Sequence, residues 1–391
     1  MKDTEENRPP WSRRTQWNVE ETPWAQHLAR LRAAGVPLFD LTISNPTQCG
    51  FYYDAAAILA PLSDPGTLLY DPNPKGMLAA REAVSVYYRA HAALVNPEHI
   101  FLTASTSEAY SYLFRLLCDP GDEVLIARPG YPLFDFLATL DDVRLEPYEL
   151  FYDYGWHLDT ESLRRRITHR TRAIVVVHPN NPTGHFTSRG DRAAIEELCR
   201  EHRLALIVDE VFLDYGLSTQ GESFANGDHP VNTFLLSGLS KVAALPQMKA
   251  AWIACFAPPE ALQRLEIIAD TFLSVSAPVQ FALPAWLQQR KAQQSQIVQR
   301  VAANLATLDR ILSGQASITR LTADAGWYAV LRVPHLQNQE ETALALLLQR
   351  HVMVHSGDSF GFDGQGWLVV SLLGREDECS RGLAALCEHF A

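Results

Sequence analysis

Four short apolar segments of the chain end in polar side chains that could do chemistry. Asp209 closes the segment LALIVD, and Asn181 lies in HPNNPTG, which continues the segment RAIVVVH. The segment NTFLLSG (232–238) overlaps SGLSK (237–241), which ends in Lys241. The segment at 100–103 is followed by ASTSEA. A carboxylate, an amide, an amine and a helix start would suit a covalent reaction between the amine and a carbonyl compound.

Lys241 is the best candidate for the reacting amine. The chain has five lysines, at positions 2, 75, 241, 249 and 291, so the supply is small. Lys241 stands in a loop of small and hydroxyl-bearing residues inside an otherwise apolar stretch. Burial there would lower the pKa of its amine and make it a better nucleophile toward an aldehyde.

Each of the other signals also has a purely structural interpretation. Ser105 and Glu108 fit a capping box that opens a helix at 107–118, and most capping boxes are only caps. Asn-Pro-Thr-Gly is a good turn sequence, and an Asp at a strand end is often a helix cap or a metal ligand. The combination of all four in this order is much more specific than any one of them.

The elements that must position these side chains form an alternating pattern. Short apolar runs predict strands, and the segments between them have the period of amphipathic helices. The predicted strands lie at 100–103, 123–128, 172–178, 204–209, 232–238 and 251–256, and helices are predicted at 24–35, 76–91, 107–118 and 189–202. This alternation favours an α/β fold with parallel strand pairs, whose ligands bind beyond the carboxyl ends of the strands.

The chain is long enough for two domains, at roughly 150 residues per domain. We predict a large domain at 45–285 with a mostly parallel sheet flanked by helices. A small α+β domain would be built from both termini, with residues 1–44 as an N-terminal arm and part of that domain and 286–391 as its C-terminal part.

Composition excludes several classes of protein. The 391 residues carry a net charge of −12, which argues against a nucleic-acid or anionic-membrane binder. No run of 18 apolar residues and no secretory signal in the first 24 residues are visible. Six scattered cysteines without a CxxC pair predict reduced thiols in a cytoplasmic protein.

Taken together, the motifs resemble those of the pyridoxal-phosphate-dependent aminotransferases of fold type I, the class I/II family. The resemblance covers nearly the whole chain, in the family's order and rough spacing. It rests on SNPT (44–47), LYDPNPKGMLAAREAV (69–84), TASTSEA (103–109), RPGYPLF (128–134), HPNNPTG (178–184), VDEVF (208–212) and SGLSK (237–241).

The resemblance implies a role for each of these positions. Lys241 would hold pyridoxal 5′-phosphate as a Schiff base and then act as general base and acid, and Asp209 would keep the ring nitrogen protonated. Asn181 would donate to the ring oxygen and lie near the substrate, and Tyr131 would stack on the ring. The phosphate would accept hydrogen bonds from the backbone N–H groups of Thr106 and Ser107 and from the hydroxyls of Ser107, Ser237 and Ser240. Ser105 and Lys249 would also belong to the cofactor site.

The resemblance also implies the partners of the enzyme. Tyr70 resembles a tyrosine that reaches the phosphate of the neighbouring subunit, which implies a homodimer with shared active sites. The substrates would be a small amino donor and a carbonyl acceptor, contacted by Asn45, Asn181 and Arg375. No metal site is expected.

Three positions depart from the family pattern. Phe212 stands where a tyrosine usually donates to the ring oxygen, so a raised pKa of the imine is expected unless Tyr215 substitutes. Lys249 stands where an arginine usually binds the phosphate. A lysine keeps the positive charge but cannot form the two parallel hydrogen bonds of a guanidinium group. Val369 stands where the family has the arginine that binds the substrate carboxylate.

The replacement at Val369 leaves the substrate class open. Arg375, or else Arg13, Arg14 or Arg332, could compensate; otherwise Asn181 and backbone amides would hold the substrate, or it would lack an α-carboxylate. Tyr52, Tyr328 and Phe360 are candidate pocket residues for an apolar or aromatic side chain.

Other functions are less consistent with the sequence. A decarboxylase, a β-lyase or an oxygen-using oxidase of the same fold stays an alternative, and a cofactor-sensing regulator would need a DNA-binding domain that is not visible. GDSFG (357–361) matches the pattern of a hydrolase nucleophile but lacks a predicted helix after it. His351 and His355 are four apart in a strand-like segment, which disfavours a metal site.

Overall fold

A computed structural model describes residues 11–273, 275–334 and 338–391 of the chain. Its helices are α1 Pro23–Ala33, α2 Ala55–Leu59, α3 Leu78–Arg89, α4 Thr106–Leu117, α5 Phe134–Leu140, α6 Thr160–Arg166, α7 Arg189–His202, α8 Leu239–Val242, α9 Pro259–Phe272, α10 Ala277–Gln289, α11 Lys291–Leu312, α12 Gln339–Arg350 and α13 Glu376–His389. Its strands are β1 Phe39–Asp40, β2 Ile100–Thr103, β3 Glu123–Arg128, β4 Arg144–Tyr152, β5 Trp156–Leu158, β6 Thr171–Val177, β7 Ala205–Asp209, β8 Thr233–Gly238, β9 Ala251–Phe256, β10 Thr319–Arg320, β11 Tyr328–Arg332, β12 Val352–Met353, β13 His355–Ser356 and β14 Trp367–Ser371.

The large sheet has the strand order β2-β9-β8-β7-β6-β3-β4-β5 within the described residues. The five central strands β8, β7, β6, β3 and β4 run parallel to one another. At the two sides of this group, β9 runs antiparallel to both β2 and β8, and β5 runs antiparallel to β4. Alternate residues of β6 belong to two different buried clusters, with Ile174 and Val176 in one and Ala173 and Val175 in the other. Both faces of the sheet are therefore covered here, which explains why β3, β6, β7 and β8 are mainly apolar and buried along nearly their whole length.

A smaller sheet lies in the C-terminal part of the chain, with the order β10-β11-β14-β13. The short strand β1 pairs with β12, so the chain near residue 40 joins the segment near residue 353. Helix α1 packs on α12, and α11 packs on α13. The buried cluster of this region also includes Phe212 and Tyr215, which come from the segment after β7.

The predicted fold class, a mostly parallel α/β sheet flanked by helices with a smaller α+β part, is confirmed. The predicted strands and helices all appear, with bounds that differ by a few residues at most. The hairpin of β4 and β5 was not predicted, because β4 carries a proline and has few fully buried positions. The domain limits at 44/45 and 285/286 stay a prediction.

All six cysteines lie among the described residues, and each is a free thiol. Within those same residues, no helix combines the length and the apolar character that crossing a bilayer would require.

Asn304 offers a test of how helix α11 is fixed to the small sheet. Its buried amide nitrogen donates to the carbonyl oxygens of Leu372 and Gly374, both at 2.8 Å. Replacing Asn304 with alanine removes both bonds from a buried site, and we expect a loss of about 2 kcal/mol in urea unfolding. The control Gln299→Ala changes an exposed amide on the same helix and should cost less than about 0.5 kcal/mol. Equal losses in the two variants would contradict this account.

Candidate active site

The carboxyl ends of β6, β7 and β8 meet at one edge of the large sheet. In the strand register Val177 lies beside Asp209, and Asp209 lies beside Leu236. The residues that follow these positions therefore converge: the Asn181 turn after β6, Asp209 at the end of β7, and the segment from Ser237 to Lys241 after β8. This is the arrangement that the strand ends predicted.

Asp209 is a buried carboxylate held by two donors. The backbone N–H of Val211 donates to Oδ1 and the hydroxyl of Tyr110 donates to Oδ2, each at 3.1 Å. Burial raises the pKa of Asp209 to about 6, against the opposite pull of these hydrogen bonds and of the positive charge on Lys241. The Asp209 carboxyl group is thus oriented by two hydrogen bonds, shielded from solvent and within the electrostatic influence of Lys241.

Lys241 lies in the short helix α8, directly after β8. Its Nζ lies 4.5 Å from the centre of the Trp327 ring and 5.3 Å from that of Phe212. Burial lowers the pKa of the Lys241 amine to about 8, although the charge of Asp209 acts in the opposite direction. A larger fraction of this amine than of a surface lysine is therefore neutral and nucleophilic near neutral pH.

The start of helix α4 faces this edge and could bind an anion. The hydroxyl of Ser105 accepts a hydrogen bond from the Glu108 N–H at 3.1 Å, which confirms the predicted cap. Thr106 and Ser107 occupy the first two positions of α4 and are half-buried, as is Ser240. The buried Oγ of Ser237 has no hydrogen-bond partner among the described residues, so it is available to a ligand.

Asn181 and Tyr131 complete the candidate set. The buried Oδ1 of Asn181 also lacks a hydrogen-bond partner in the described part of the chain. Tyr131 is half-buried and packs edge-on against Phe134, with ring centres 5.6 Å apart. Burial raises the pKa of the Tyr131 hydroxyl, and the charge of Asp209 adds to that effect.

The sequence profile of the family described as aminotransferase class I and II matches residues 43–386. The chain belongs to this family. An alanine aminotransferase of Mycobacterium tuberculosis is 27% identical over 382 residues, covering 94% of this chain and 88% of the relative. A glutamate–pyruvate aminotransferase of Escherichia coli is 29% identical over 268 residues, covering 67% of this chain and 66% of the relative.

Solved aminotransferase structures have the same fold. An alanine aminotransferase from Pyrococcus furiosus superposes with a TM-score of 0.88 at 22% identity, covering 97% of this chain and 99% of the other. An aminotransferase from Escherichia coli gives 0.86 at 23% identity, covering 98% of each chain. At these identities the structures support the fold and do not identify a substrate.

The enzyme is therefore a pyridoxal-phosphate-dependent aminotransferase, which acts on small amino and keto compounds. The residues present fit this cofactor. The Lys241 amine, desolvated by burial, interacts electrostatically with the buried Asp209 carboxylate. Two buried oxygens, Asn181 Oδ1 and Ser237 Oγ, have no hydrogen-bond partner within the described residues. The start of α4 adds backbone N–H groups suited to a phosphate.

Some predicted residues of the aminotransferase are exposed to solvent, unlike Asp209 and Ser237. Tyr70 is 77% exposed and directly follows two other exposed apolar residues, Leu68 and Leu69. Lys249 is exposed and follows the turn Pro246–Met248 with a left-handed backbone. Tyr52, a candidate pocket residue, is 73% exposed, whereas Tyr328 and Phe360 contact each other with ring centres 6.3 Å apart.

The structure shows whether the Tyr215 hydroxyl could replace the tyrosine hydroxyl that is absent at Phe212. Phe212 is buried beside Lys241, as expected for its position in the motif. The hydroxyl of Tyr215 donates to the carbonyl oxygen of Lys241 at 2.5 Å, so its proton is already used. Tyr215 therefore does not replace the missing donor.

Val369 is fully buried in an apolar cluster on the small sheet. The cluster consists of Trp156, Leu321, Val330, Phe360, Phe362 and Val369. Two of the candidate arginines are engaged elsewhere: Arg14 pairs with Asp142, and Arg332 donates to the Gln365 carbonyl and covers the Trp367 ring.

Arg13 and Arg375 are the remaining candidate arginines. Arg13 is exposed in the N-terminal turn Arg13–Thr15, which contacts helix α5. Arg375 precedes α13 with a side chain 63% exposed, and its guanidinium lies against Gly50 at the end of the turn that Asn45 caps.

Sequence reasoning missed two residues of this site. Tyr110 looked like an ordinary core residue of α4, although a buried tyrosine needs a partner for its hydroxyl and could have been questioned on that ground. Trp327 belongs to a segment more than eighty residues after Lys241, and nothing in the spacing connects the two.

The two decoy motifs have structural roles. GDSFG forms a short turn, Gly357–Phe360, that ends in Gly361 with φ 71° and continues without a helix, unlike a hydrolase elbow. His351 ends α12 in a left-handed conformation, and His355 packs against Phe360. No group of three potential metal ligands occurs among the described residues.

Glu210, next to Asp209, gives the protein a pH-dependent stability. It is fully buried, accepts hydrogen bonds from Ser223 and the Phe224 N–H, and burial raises its pKa from 4.5 to about 7. The folded state thus keeps this proton to higher pH than the unfolded state does. The contribution of Glu210 to stability is unchanged below pH 4.5 and falls as pH rises toward about 7.

The variant Glu210→Gln removes that decline. Relative to the wild type, we expect the variant to gain roughly 2 kcal/mol between mildly acidic and neutral pH, measured by urea unfolding at several pH values. The exposed Glu222→Gln serves as the control and should follow the wild-type curve. Parallel curves for wild type and Glu210→Gln would refute the assignment.

Proposed function

We propose that Lys241 binds the cofactor covalently through its ε-amine and then carries the proton that moves at the donor carbon. Pyridoxal phosphate supplies an aldehyde for amino groups and a ring that accepts the electron pair released at that carbon. The observation that carries the proposal is the buried Lys241 amine, whose pKa is lowered to about 8, close to the buried Asp209. An amine that titrates near neutral pH can serve as both base and acid.

Asp209 would bind the protonated ring nitrogen. Its two oxygens are fixed by Tyr110 and by the Val211 N–H, so the carboxylate cannot turn away from its partner. A cation at that point would lower the pKa of Asp209 from its present value and keep the carboxylate ionised.

The phosphate would lie at the start of α4, where backbone N–H groups and the helix dipole favour an anion. Thr106, Ser107, Ser237 and Ser240 would add hydroxyls, and Ser105 would order the turn as the cap. Lys249 would contribute a positive charge from the turn that follows α8.

A homodimer is the proposed assembly. The chain exposes Leu68, Leu69 and Tyr70 in a row, each more than 70% accessible, which is unusual for large apolar side chains. A second copy would cover this row and bring Tyr70 to the phosphate of its neighbour. The six free thiols fit a reducing compartment such as the cytoplasm.

The amino donor would be bound between Asn181, Asn45 and Arg375. Arg375 is the candidate cation because it lies by the Asn45 turn and its contact with Asp377 is loose, at 3.8 Å. The relatives named alanine and glutamate–pyruvate aminotransferase suggest small amino acids as donors to test first.

A second reaction type is kept because of Val369. With an apolar cluster in place of a cation, a donor could bind in a different orientation and lose carbon dioxide or a side-chain group instead of its amine. Assays for ammonia and carbon dioxide, with donor present and acceptor absent, distinguish such a decarboxylase, lyase or oxidase from an aminotransferase.

Lys241→Ala tests the covalent link. The purified variant should be colourless and inactive, since the amine assigned to bind the aldehyde has been removed. Borohydride reduction of the wild type followed by peptide mapping should place the label on residue 241. The control Lys291→Ala, which changes an exposed lysine, should stay yellow and active. A label on another lysine would overturn the assignment.

Arg375→Ala tests the substrate site. If Arg375 binds the donor carboxylate, the KM for α-amino acids should rise at least about tenfold with a smaller change in kcat, because a charge-assisted bond is lost. Arg381→Ala is a matched control, since Arg381 is equally exposed and also contacts Asp377. An unchanged KM in Arg375→Ala would indicate binding by Asn181 and backbone amides, or a donor without a carboxylate.

A further inference from the structure

Three aromatic rings meet edge to face beside the Lys241 amine. Trp327 lies 5.2 Å from Phe212 and 4.9 Å from Tyr215 between ring centres, with interplanar angles of 85° and 76°. The Lys241 Nζ lies over two of these rings, those of Trp327 and Phe212. The amine is thus bounded by π faces on two sides.

Backbone contacts fix Trp327 in this position. The Gly326 N–H donates to the carbonyl of Tyr215 at 2.9 Å, and the carbonyl of Trp327 accepts from the Leu372 N–H at 2.8 Å. Trp327 is fully buried, yet its Nε1 has no hydrogen-bond partner within the described residues. A buried N–H without a partner costs stability, so packing alone would favour phenylalanine or leucine here. Tryptophan is the side chain that attracts a cation most strongly through its ring face.

We propose that Trp327 is a positioning residue that forms, together with Phe212, an aromatic cage holding the ε-amine of Lys241 and favouring its cationic form. Phe212 suits this role because its ring presents a face and no hydroxyl that would compete for the amine. The cage orients the amine toward the strand edge where Asp209 lies.

The cage acts against the effect of burial. Burial lowers the pKa of the Lys241 amine to about 8, and the negative charge of Asp209 raises it. Among the other ionisable groups packed nearby, Tyr110 donates to Asp209, and burial raises the pKa of Tyr215 well above its ordinary value, so both stay neutral. The ring faces are therefore the second attraction, after Asp209, that keeps this amine protonated.

The test measures the Lys241 amine itself in the full-length chain freed of cofactor. Reductive methylation by formaldehyde and cyanoborohydride requires a neutral amine, so its rate at residue 241 across pH gives the pKa, with Lys291 as the internal reference. Trp327→Leu should lower that pKa by about one unit, a tenfold change in the ratio of cation to neutral amine. Trp327→Phe keeps a ring face and should lower it by less than half as much.

The matched control is Trp367→Leu, which removes a tryptophan from β14 and should leave the pKa of Lys241 unchanged. An unchanged pKa in Trp327→Leu, or equal falls in all three variants, would overturn the proposal. If Trp327→Leu does not fold, Phe212→Leu carries the test, and an unchanged pKa there is again decisive. The proposal rests on the role assigned to Lys241 above, but the measurement needs no cofactor, so either can fail without the other.

Discussion

The site depends on keeping one amine and one carboxylate out of water at the edge of the large sheet. Desolvation disfavours the charged form of each group, which lowers the pKa of Lys241 and raises the pKa of Asp209. Their mutual attraction and the donors on Asp209 offset part of that penalty. The apolar strands, Tyr110 of α4 and the rings of Phe212 and Trp327 surround this pair and fix its position.

The sequence was informative wherever chemistry follows directly from a strand. Asn181, Asp209 and Lys241 could be placed together because parallel strands end at a common edge, and the strand register bears this out. The cap at Ser105 could also be recognised, since its hydrogen bond spans only three residues. Local signals of this kind depend on spacing that a single sequence displays.

Contacts between distant segments could not be predicted in the same way. Tyr110 reaches Asp209 across 99 residues, and Trp327 reaches Lys241 from the small sheet. Both have the apolar surroundings of ordinary core residues, so periodicity predicts burial and says nothing of a polar partner. The sequence showed that Val369 replaces the arginine, but it could not show what surrounds Val369. The apolar cluster around this residue consists of side chains from three separate stretches of the chain.

The segment that carries Trp327 also contacts the turn that carries Asn181. The N–H groups of Asp324 and Ala325 donate to the carbonyl of Gly184, which has φ 72°, and a Cβ at that glycine would collide with the Ala325 carbonyl. One short segment, residues 324–327, thus touches the Asn181 turn at one end and the Lys241 amine at the other. Because Asp324, Ala325 and Trp327 are near neighbours in the sequence, a displacement of this segment would loosen its contacts with the Asn181 turn and with the Lys241 amine together.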